Sequence, residues 1–180
     1  MMSRSHTLLG VLAGAGLARV GLFDLSAPVI AGLVLGSVAP DIDTPFSALG
    51  RILPFISGPL YLTIGHRTAT HSVYGVTIVI MTAFLVQELG PWPWLVSPAI
   101  AFMVGYLIHV AADLLTIEGC ALAYPYPRRY CVWPAVRTGG FGELVLVAAI
   151  AIPAIHFLAP PLPVLATSFW HLIGGLRLAL

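Results

Sequence analysis

Charge is what this sequence has least of. Only 8% of its 180 residues are charged, eight basic against seven acidic, while 59% are hydrophobic and the mean hydropathy is +0.98. Soluble domains carry roughly 25% charged residues. A chain this apolar has too few polar groups to cover its own surface. The composition therefore excludes a soluble domain and predicts an integral membrane protein covered by lipid.

Lysine is absent, and the eight arginines are spread singly apart from the pair Arg128 and Arg129. Without a polybasic patch, the net charge of +1 gives no reason to expect contact with nucleic acid. Only two cysteines occur, Cys120 and Cys131 in one predicted loop; they allow a single bridge but no disulfide framework. Neither a repeat nor a linker divides the chain, so we predict one membrane domain over residues 1–180.

Long apolar runs are abundant and predict an all-α polytopic protein with about six transmembrane helices. A span needs about 20 residues. The run at 94–116 is long enough to span a bilayer by itself, and the run at 27–39 is short. The runs at 7–23, 73–89, 143–158 and 162–178 are marginal in length. The run at 52–64 contains Pro54, Gly58 and Pro59, so we predict a re-entrant or interfacial segment there. The runs are residues 7–23, 27–39, 52–64, 73–89, 94–116, 143–158 and 162–178.

Most ionisable side chains of a type that binds metal fall in a few short stretches. With the helices drawn from hydropathy alone, the starts of the first and third spans and the ends of the second and fourth meet at one face of the membrane. Seven candidate metal ligands lie at these span ends, and we expect them to converge. They are His6, Asp41, Asp43, His66, His71, His109 and Asp113.

The arginines fix an orientation for this arrangement. Seven of the eight lie on the side of the candidate ligands, and only Arg19 lies toward the other side; arginine near span ends marks the cytoplasmic side. The termini and the site are therefore expected to face the cytoplasm, which favours reduced thiols over a bridge. The first apolar run resembles a signal peptide, but Arg19 and Asp24 follow it without a small-residue cleavage site, so we predict a retained span.

The ligand types indicate a transition metal. His109 and Asp113 are four residues apart on a predicted helix, so both project from one face. A single catalytic zinc takes three protein ligands plus water, and seven candidates suit two ions about 3.5–4 Å apart. Mixed imidazole and carboxylate ligation favours zinc, with manganese or iron as alternatives, over magnesium or calcium.

Each candidate also has a purely structural interpretation. Asp113 could simply pair with Arg67, and His6 could mark the membrane interface. Glu118 is a candidate general base, a carboxylate that orients a ligand, or a solvated loop residue. We interpret His156 and His171 as packing or interface residues, and Glu143 and Asp24 as loop or cap residues. The glycines at 10, 14, 16, 32 and 36 are expected to allow close helix packing.

The candidate stretches together resemble a known family. They are His6-Thr7, Gly36-Ser37-Val38-Ala39-Pro40-Asp41-Ile42-Asp43, His66-Arg67-Thr68-Ala69-Thr70-His71-Ser72, and Gly105-Tyr106-Leu107-Ile108-His109 with Asp113-Leu114-Leu115-Thr116. This combination resembles the YdjM-like, LexA-regulated membrane-bound metal-dependent hydrolases over about residues 1–125. The family pattern has glycine where Thr68 or Ala69 stands. A weaker resemblance joins the His-x-x-x-Asp element to the zinc-dependent phospholipase C and P1-nuclease group.

The resemblance implies a hydrolase that uses a divalent metal, and we expect its substrate to be a phosphoester of a lipid or membrane-proximal molecule. In this hypothesis Arg67, with Arg128 or Arg129, balances phosphate charge, and Arg67 and Glu118 are the candidate catalytic residues. Two alternatives remain. One is a transporter or channel for a metal ion or small anion, although transport sites usually lie near the midplane. The other is a structural membrane protein whose metal ties helices together.

Overall fold

The computed structural model describes residues 1–159, and within this range helices are joined by turns without a β-sheet. Two isolated β-bridges, Thr116–Val136 and Cys120–Tyr130, hold the loop between the last two helices. The all-α prediction is confirmed, and both cysteine thiols are free. The predicted segment 162–178, with His171 and Arg177, lies outside the described residues. The helices are α1 Ser3–Arg19, α2 Ala27–Val38, α3 Ala48–Ile52, α4 Pro54–Thr63, α5 Val73–Leu89, α6 Val96–Leu114 and α7 Phe141–Leu158.

The helices are shorter than the apolar runs suggested. Two are long and apolar enough to cross a bilayer: the continuous helical stretch Pro93–Leu114, with 22 residues, and Phe141–Leu158, with 18. The predicted count of six spans is therefore not supported within residues 1–159. Proline is one physical reason. α2 has 12 residues and ends at Val38, and the chain continues as the 3₁₀ turn Ala39–Asp43, because Pro40 has no N–H to donate to the carbonyl four residues earlier.

The predicted non-spanning segment 52–64 contains α4, which follows the short helix α3 after Leu53. α4 has 10 residues. At 1.5 Å per residue this is about 15 Å, half the roughly 30 Å of a hydrocarbon core. The length of α4 agrees with an interfacial or re-entrant position.

Backbone contact between α2 and α6 organises the bundle. A Cβ on Gly36 would lie 2.0 Å from the carbonyl oxygen of Phe102, and one on Gly105 would lie 2.4 Å from that of Leu33. Small residues of this kind let membrane helices approach closely. Gly36 thus has its predicted packing role, whereas nothing lies within 4 Å of a Cβ on Gly16. The close approach places the end of α2 beside the last turns of α6.

The apolar residues that remain exposed lie mostly along the outer helices. Leu89 on α5 is 75% exposed and Leu144 on α7 is 65% exposed. Large contiguous apolar surfaces are unusual on soluble monomers. Exposed faces of this kind suit contact with lipid.

Helix directions bring the polar loops to one end of the bundle. α1 and α7 run parallel, because Ser5 Oγ donates to Glu143 Oε1 at 2.5 Å near their starts and Arg19 lies 5.3 Å from the Phe157 ring near their ends. α2 and α6 end, and α5 starts, at the same end as the starts of α1 and α7. The stretches that carry the seven candidate ligands therefore meet there, as the placement of spans by hydropathy predicted.

Candidate metal centre

Four buried side chains face one another where α2, α5 and α6 meet, and we call them the inner cluster: Asp41, His71, His109 and Asp113. The Nε2 atoms of the two histidines are 3.2 Å apart. Asp113 Oδ2 lies 3.3 and 3.6 Å from these nitrogens, and Asp41 Oδ1 lies 3.8 and 3.4 Å from them. A tetrahedral zinc with bonds of about 2.0–2.1 Å has ligands about 3.4 Å apart. The inner cluster has the spacing of such a ligand set.

Hydrogen bonds on the far side of each ring fix which nitrogen carries the proton. His109 Nδ1 lies 2.6 Å from the carbonyl oxygen of Ser37, which can only accept, so Nδ1 is the donor. His71 Nδ1 lies 2.9 Å from Thr70 Oγ1, whose own proton goes to Asp43 Oδ2 at 2.5 Å, so this Nδ1 donates too. In the neutral rings both Nε2 atoms then carry lone pairs. Two lone pairs facing each other at 3.2 Å repel unless a cation lies between them.

The two carboxylate oxygens of Asp113 have different environments. Its Oδ1 accepts from Arg67 Nη2 at 2.7 Å and also contacts the amino group of Met1, so the pairing with Arg67 considered from the sequence does occur. Its Oδ2 is buried and has no hydrogen-bond partner among the described residues. An unpaired buried carboxylate oxygen is costly. Its position beside two imidazole nitrogens fits a metal ligand.

Negative charge exceeds positive charge here. Three buried carboxylates, those of Asp41, Asp43 and Asp113, are accompanied by the Arg67 guanidinium and the Met1 amino group. Burial alone would raise the pKa of Asp41, but when the rings are protonated, hydrogen bonding from His109 and the charges of the nearby histidines hold that pKa below its usual value. When the rings are neutral, the three carboxylates outnumber the two fixed cations, and this excess negative charge favours a cation between them, either a metal ion or protons on the imidazoles.

A second ligand set shares Asp41 and lies closer to solvent. We call Asp41, Asp43 and His66 the outer group; each places one ligand atom within 4.8 Å of the others. His66 Nδ1 donates to Asp43 Oδ1 at 2.6 Å, and the backbone amide of Arg67 donates to Asp43 Oδ2 at 3.0 Å. The His66 side chain is 33% exposed, whereas that of Asp43 is fully buried. Three protein ligands with one solvent-facing side are typical of catalytic rather than structural zinc sites.

Asp43 also orients its neighbours. Burial alone would raise its pKa, but hydrogen bonds from His66 and His71 and their charges hold the pKa well below its usual value. The carboxylate accepts a hydrogen bond from the Thr70 hydroxyl and thereby sets the tautomer of His71. Asp43 therefore links the inner cluster to the outer group.

Arg67 adopts a strained backbone conformation between the two sets. Its φ is +59°, a region that non-glycine residues rarely occupy and that costs about 1–3 kcal/mol. The side chain is buried, and Nη1 donates to Thr116 Oγ1 at 2.9 Å in addition to the contact with Asp113. The carbonyl of Arg67 accepts from Ala121 N at 3.0 Å. These contacts hold the strained residue in place, and strain of this kind is concentrated at functional sites.

An open cleft of about 540 Å³ reaches His66 of the outer group from the surface. Glu118 at its edge is 45% exposed and lies 3.5 Å from Arg67 Nη1. Partial burial alone would raise the pKa of Glu118, but its own backbone amide, the hydroxyl of Thr138 and the charge of Arg67 hold the pKa below its usual value. Glu118 stays ionised at neutral pH. The cleft is lined by Tyr61, Gly65, His66, Arg67, Glu118, Arg129 and Thr138.

All seven predicted ligands lie in this region, but His6 belongs to neither set. Its ring stacks on that of His109, with centroids 3.6 Å apart, and its Nε2 lies 3.3 Å from Asp113 Oδ1. His6 thus borders the inner cluster and packs against one of its members. His156, interpreted from the sequence as a non-ligand, is exposed in the last turn of α7.

Three positions in the site were missed from the sequence. Thr70 bonds both Asp43 and His71, and the hydroxyl of Tyr106 donates to the Thr70 carbonyl. The only signal for either is its place inside a candidate stretch. Glu143, interpreted as a loop or cap residue, does begin α7 and accept from Gly139 N at 2.7 Å. It is also buried and accepts from Met2 N at 2.9 Å, which ties the start of α1 to α7.

The fold and the site define a helical membrane protein with a buried carboxylate–imidazole cluster that could hold a metal ion. The family model described as YdjM inner membrane protein matches residues 1–178. The chain therefore belongs to the YdjM family, and the resemblance seen in residues 1–125 is confirmed and extended. Membership of a family of inner membrane proteins supports the predicted membrane localisation.

Two relatives show how far the similarity reaches. Inner membrane protein YdjM of Escherichia coli (strain K12) is 38% identical over 104 residues, which are 57% of this chain and 52% of that protein. The chain thus spans about half the length of this relative. The Bacillus subtilis (strain 168) protein named Uncharacterized protein YvsG is 26% identical over 157 residues, 87% of this chain and 94% of that one. No solved structure matches the chain.

Proposed function

We propose that the chain is a membrane-embedded metal-dependent hydrolase that cleaves a phosphoester of a lipid or membrane-proximal substrate. The observation that carries the proposal is the inner cluster, where two histidine Nε2 lone pairs and the unpaired Asp113 Oδ2 face one point. Two imidazoles and two carboxylates favour zinc, with manganese or iron as alternatives. The cleft beside the outer group supplies the access that a substrate needs.

The two ligand sets have different roles in this proposal. The inner cluster, with four buried ligands, would hold one ion tightly. A zinc or manganese ion in the outer group would lower the pKa of a bound water to about 7 and polarise a phosphoryl oxygen. Asp43 fixes the His66 ring, Arg67 at the cleft wall adds positive charge near the phosphate, and ionised Glu118 can accept a proton from water.

A panel assay tests the hydrolase. The detergent-purified protein is stripped of metal, reloaded with zinc or manganese, and offered phosphomonoesters and phosphodiesters, soluble and lipid-borne. We expect metal-dependent turnover that His66→Ala abolishes and that His156→Ala, an exposed histidine on α7, leaves unchanged. A folded, metal-loaded protein without activity on any member of the panel would contradict the proposal.

A structural role for the metal is the second candidate. Four buried protein ligands are the usual arrangement of a structural zinc site, and an inner cluster alone would tie α2, α5 and α6 together. The two functions differ at the outer group. If the metal is purely structural, His66→Ala leaves the metal content of the inner cluster unchanged, and the wild type has no metal-dependent turnover for it to abolish.

The orientation is also part of the proposal. The arginine bias supports a multi-pass protein whose site faces the cytoplasm, and a substrate on that leaflet could reach the cleft from the membrane surface. Labelling of the exposed Cys131 by a membrane-impermeant thiol reagent tests this. The proposal requires protection in intact spheroplasts and labelling after lysis; labelling of intact spheroplasts would reverse the orientation.

A further inference from the structure

Arg129 carries an unneutralised positive charge at the cleft. Its Nη2 donates to the carbonyl oxygen of His66 at 2.9 Å, and its Nη1 donates to that of Glu118 at 3.4 Å. No aspartate or glutamate of the described residues forms an ion pair with it. Backbone carbonyls therefore fix the direction of the guanidinium without neutralising its charge. Donor groups remain available for an anion, because a guanidinium offers five.

Arg67 reinforces this charge from the wall of the same cleft. It is 5% exposed, and its Nε is buried without a hydrogen-bond partner among the described residues. Its Nη2 donates to Asp113, and its Nη1 donates to Thr116 and lies 3.5 Å from the Glu118 carboxylate. Arg67 is thus largely occupied by protein carboxylates. Of the two arginines that line the cleft, Arg129 is the one whose charge lacks a partner.

The neighbouring Arg128 has a different environment. Its guanidinium lies 5.4 Å from the centroid of the Tyr130 ring, a cation–π contact, and the residue does not line the cleft. Two adjacent arginines in one loop therefore differ in what they face. The chain contains its own control.

We propose that Arg129 is the residue that binds a phosphate-type anion in the cleft, beside the outer group. A guanidinium matches two oxygens of such an anion with parallel hydrogen bonds. The anion would be the phosphate of a substrate, carried either by a lipid headgroup or by a water-soluble ester. This assignment rests on the proposed hydrolase only for its link to turnover, since anion binding itself does not require the reaction.

Binding of inorganic phosphate to the metal-loaded, detergent-purified full chain, measured by calorimetry, tests the assignment. A hydrogen bond to a charged group contributes about 1.5–3 kcal/mol, so we expect Arg129→Gln to weaken phosphate binding about tenfold or more. Arg128→Gln should bind within about twofold of wild type. Arg129→Lys, which keeps the charge but loses the paired geometry, should fall between them. Equal phosphate affinity in Arg129→Gln and Arg128→Gln, or no binding by wild type, would overturn the proposal.

Two further measurements distinguish failure of the anion site from failure of the proposed hydrolase. Phosphatidic acid in phosphatidylcholine nanodiscs identifies the source: Arg129-dependent binding tighter than that of inorganic phosphate supports a lipid headgroup, and weaker binding supports a soluble ester. If phosphate binding depends on Arg129 but no ester is hydrolysed, the anion site stands and the hydrolase fails. If hydrolysis occurs and Arg129→Gln leaves its KM unchanged, the anion site fails and the hydrolase stands.

Discussion

The inner cluster and the outer group share Asp41 yet differ in almost every physical respect. The inner cluster is buried, draws on three helical elements and has its tautomers fixed by Ser37 and Thr70. The outer group has three members, and its His66 is one-third exposed beside an open cleft. Burial strengthens electrostatic binding, whereas exposure allows exchange of water and substrate. One compact region therefore combines a closed ligand set with a set that is open to solvent.

The largest expected effect comes from the two carboxylates that face Arg67. Asp113 is fully buried and Glu118 is 45% exposed. Asp113→Ala leaves a buried guanidinium without its closest partner, so we expect a loss of about 3–5 kcal/mol in the free energy of unfolding. Glu118→Ala should lose at most about 1 kcal/mol, as exposed pairs do. Denaturant unfolding in detergent, followed by circular dichroism, measures both losses. Equal losses in the two variants would contradict the expected difference between a buried and an exposed partner of Arg67.

Metal removal is expected to separate the two ligand sets. An ion present at 100 times its Kd stabilises the fold by about 2.7 kcal/mol, so a chelator should lower the melting temperature of wild type. His71→Ala, which removes an inner ligand, should lose most of this shift, because only the outer group could then hold an ion. His66→Ala, which keeps all four inner ligands, should retain most of it. A chelator response that His66→Ala abolishes and His71→Ala retains would reverse the assigned roles of the two sets.

The smallest expected effect concerns the link between the sets. Thr70→Val keeps the shape of the side chain but removes the hydroxyl that accepts from His71 and donates to Asp43. Loss of such an orienting partner typically weakens metal affinity about 10–100-fold. Competition with a fluorescent zinc chelator measures this. Thr82→Val is the control, because Thr82 is exposed on α5 and bonds only the Ile78 carbonyl; identical affinities in the two variants would show that the Thr70 bond has no orienting role.

The sequence allowed the convergence of the ligands to be predicted, because it depends on hydropathy and on the number of chain reversals. The pair His109 and Asp113 followed from helical periodicity alone. The division into two sets did not, since Asp41 and Asp43 are separated by one residue and only the 3₁₀ turn Ala39–Asp43 decides where each carboxylate lies. Thr70 connects the two sets through its hydrogen bonds to Asp43 and His71, and the spacing of residues in the sequence does not indicate these contacts.

Helix lengths and the cleft were equally hard to predict. Hydropathy counts apolar residues but not the breaks that prolines impose, so 27–39 became a helix of 12 residues followed by a tighter turn. The backbone of Arg67 could not be anticipated either, because nothing in its neighbours demands a positive φ. Arg128 and Arg129 are indistinguishable in sequence, and the loop conformation alone directs one to the Tyr130 ring and the other to the cleft.

Metal content per folded chain is the most direct test of metal binding by the inner cluster. Mass spectrometry on detergent-purified protein, after loading with zinc or manganese and removal of excess ion, compares wild type with His109→Ala and His66→Ala. We predict tightly bound metal in wild type, its loss in folded His109→Ala, and retention of one inner ion in His66→Ala. A wild-type protein that stays empty after loading would show that a proton, and not a metal, lies between His71 and His109, and would contradict a metal site there.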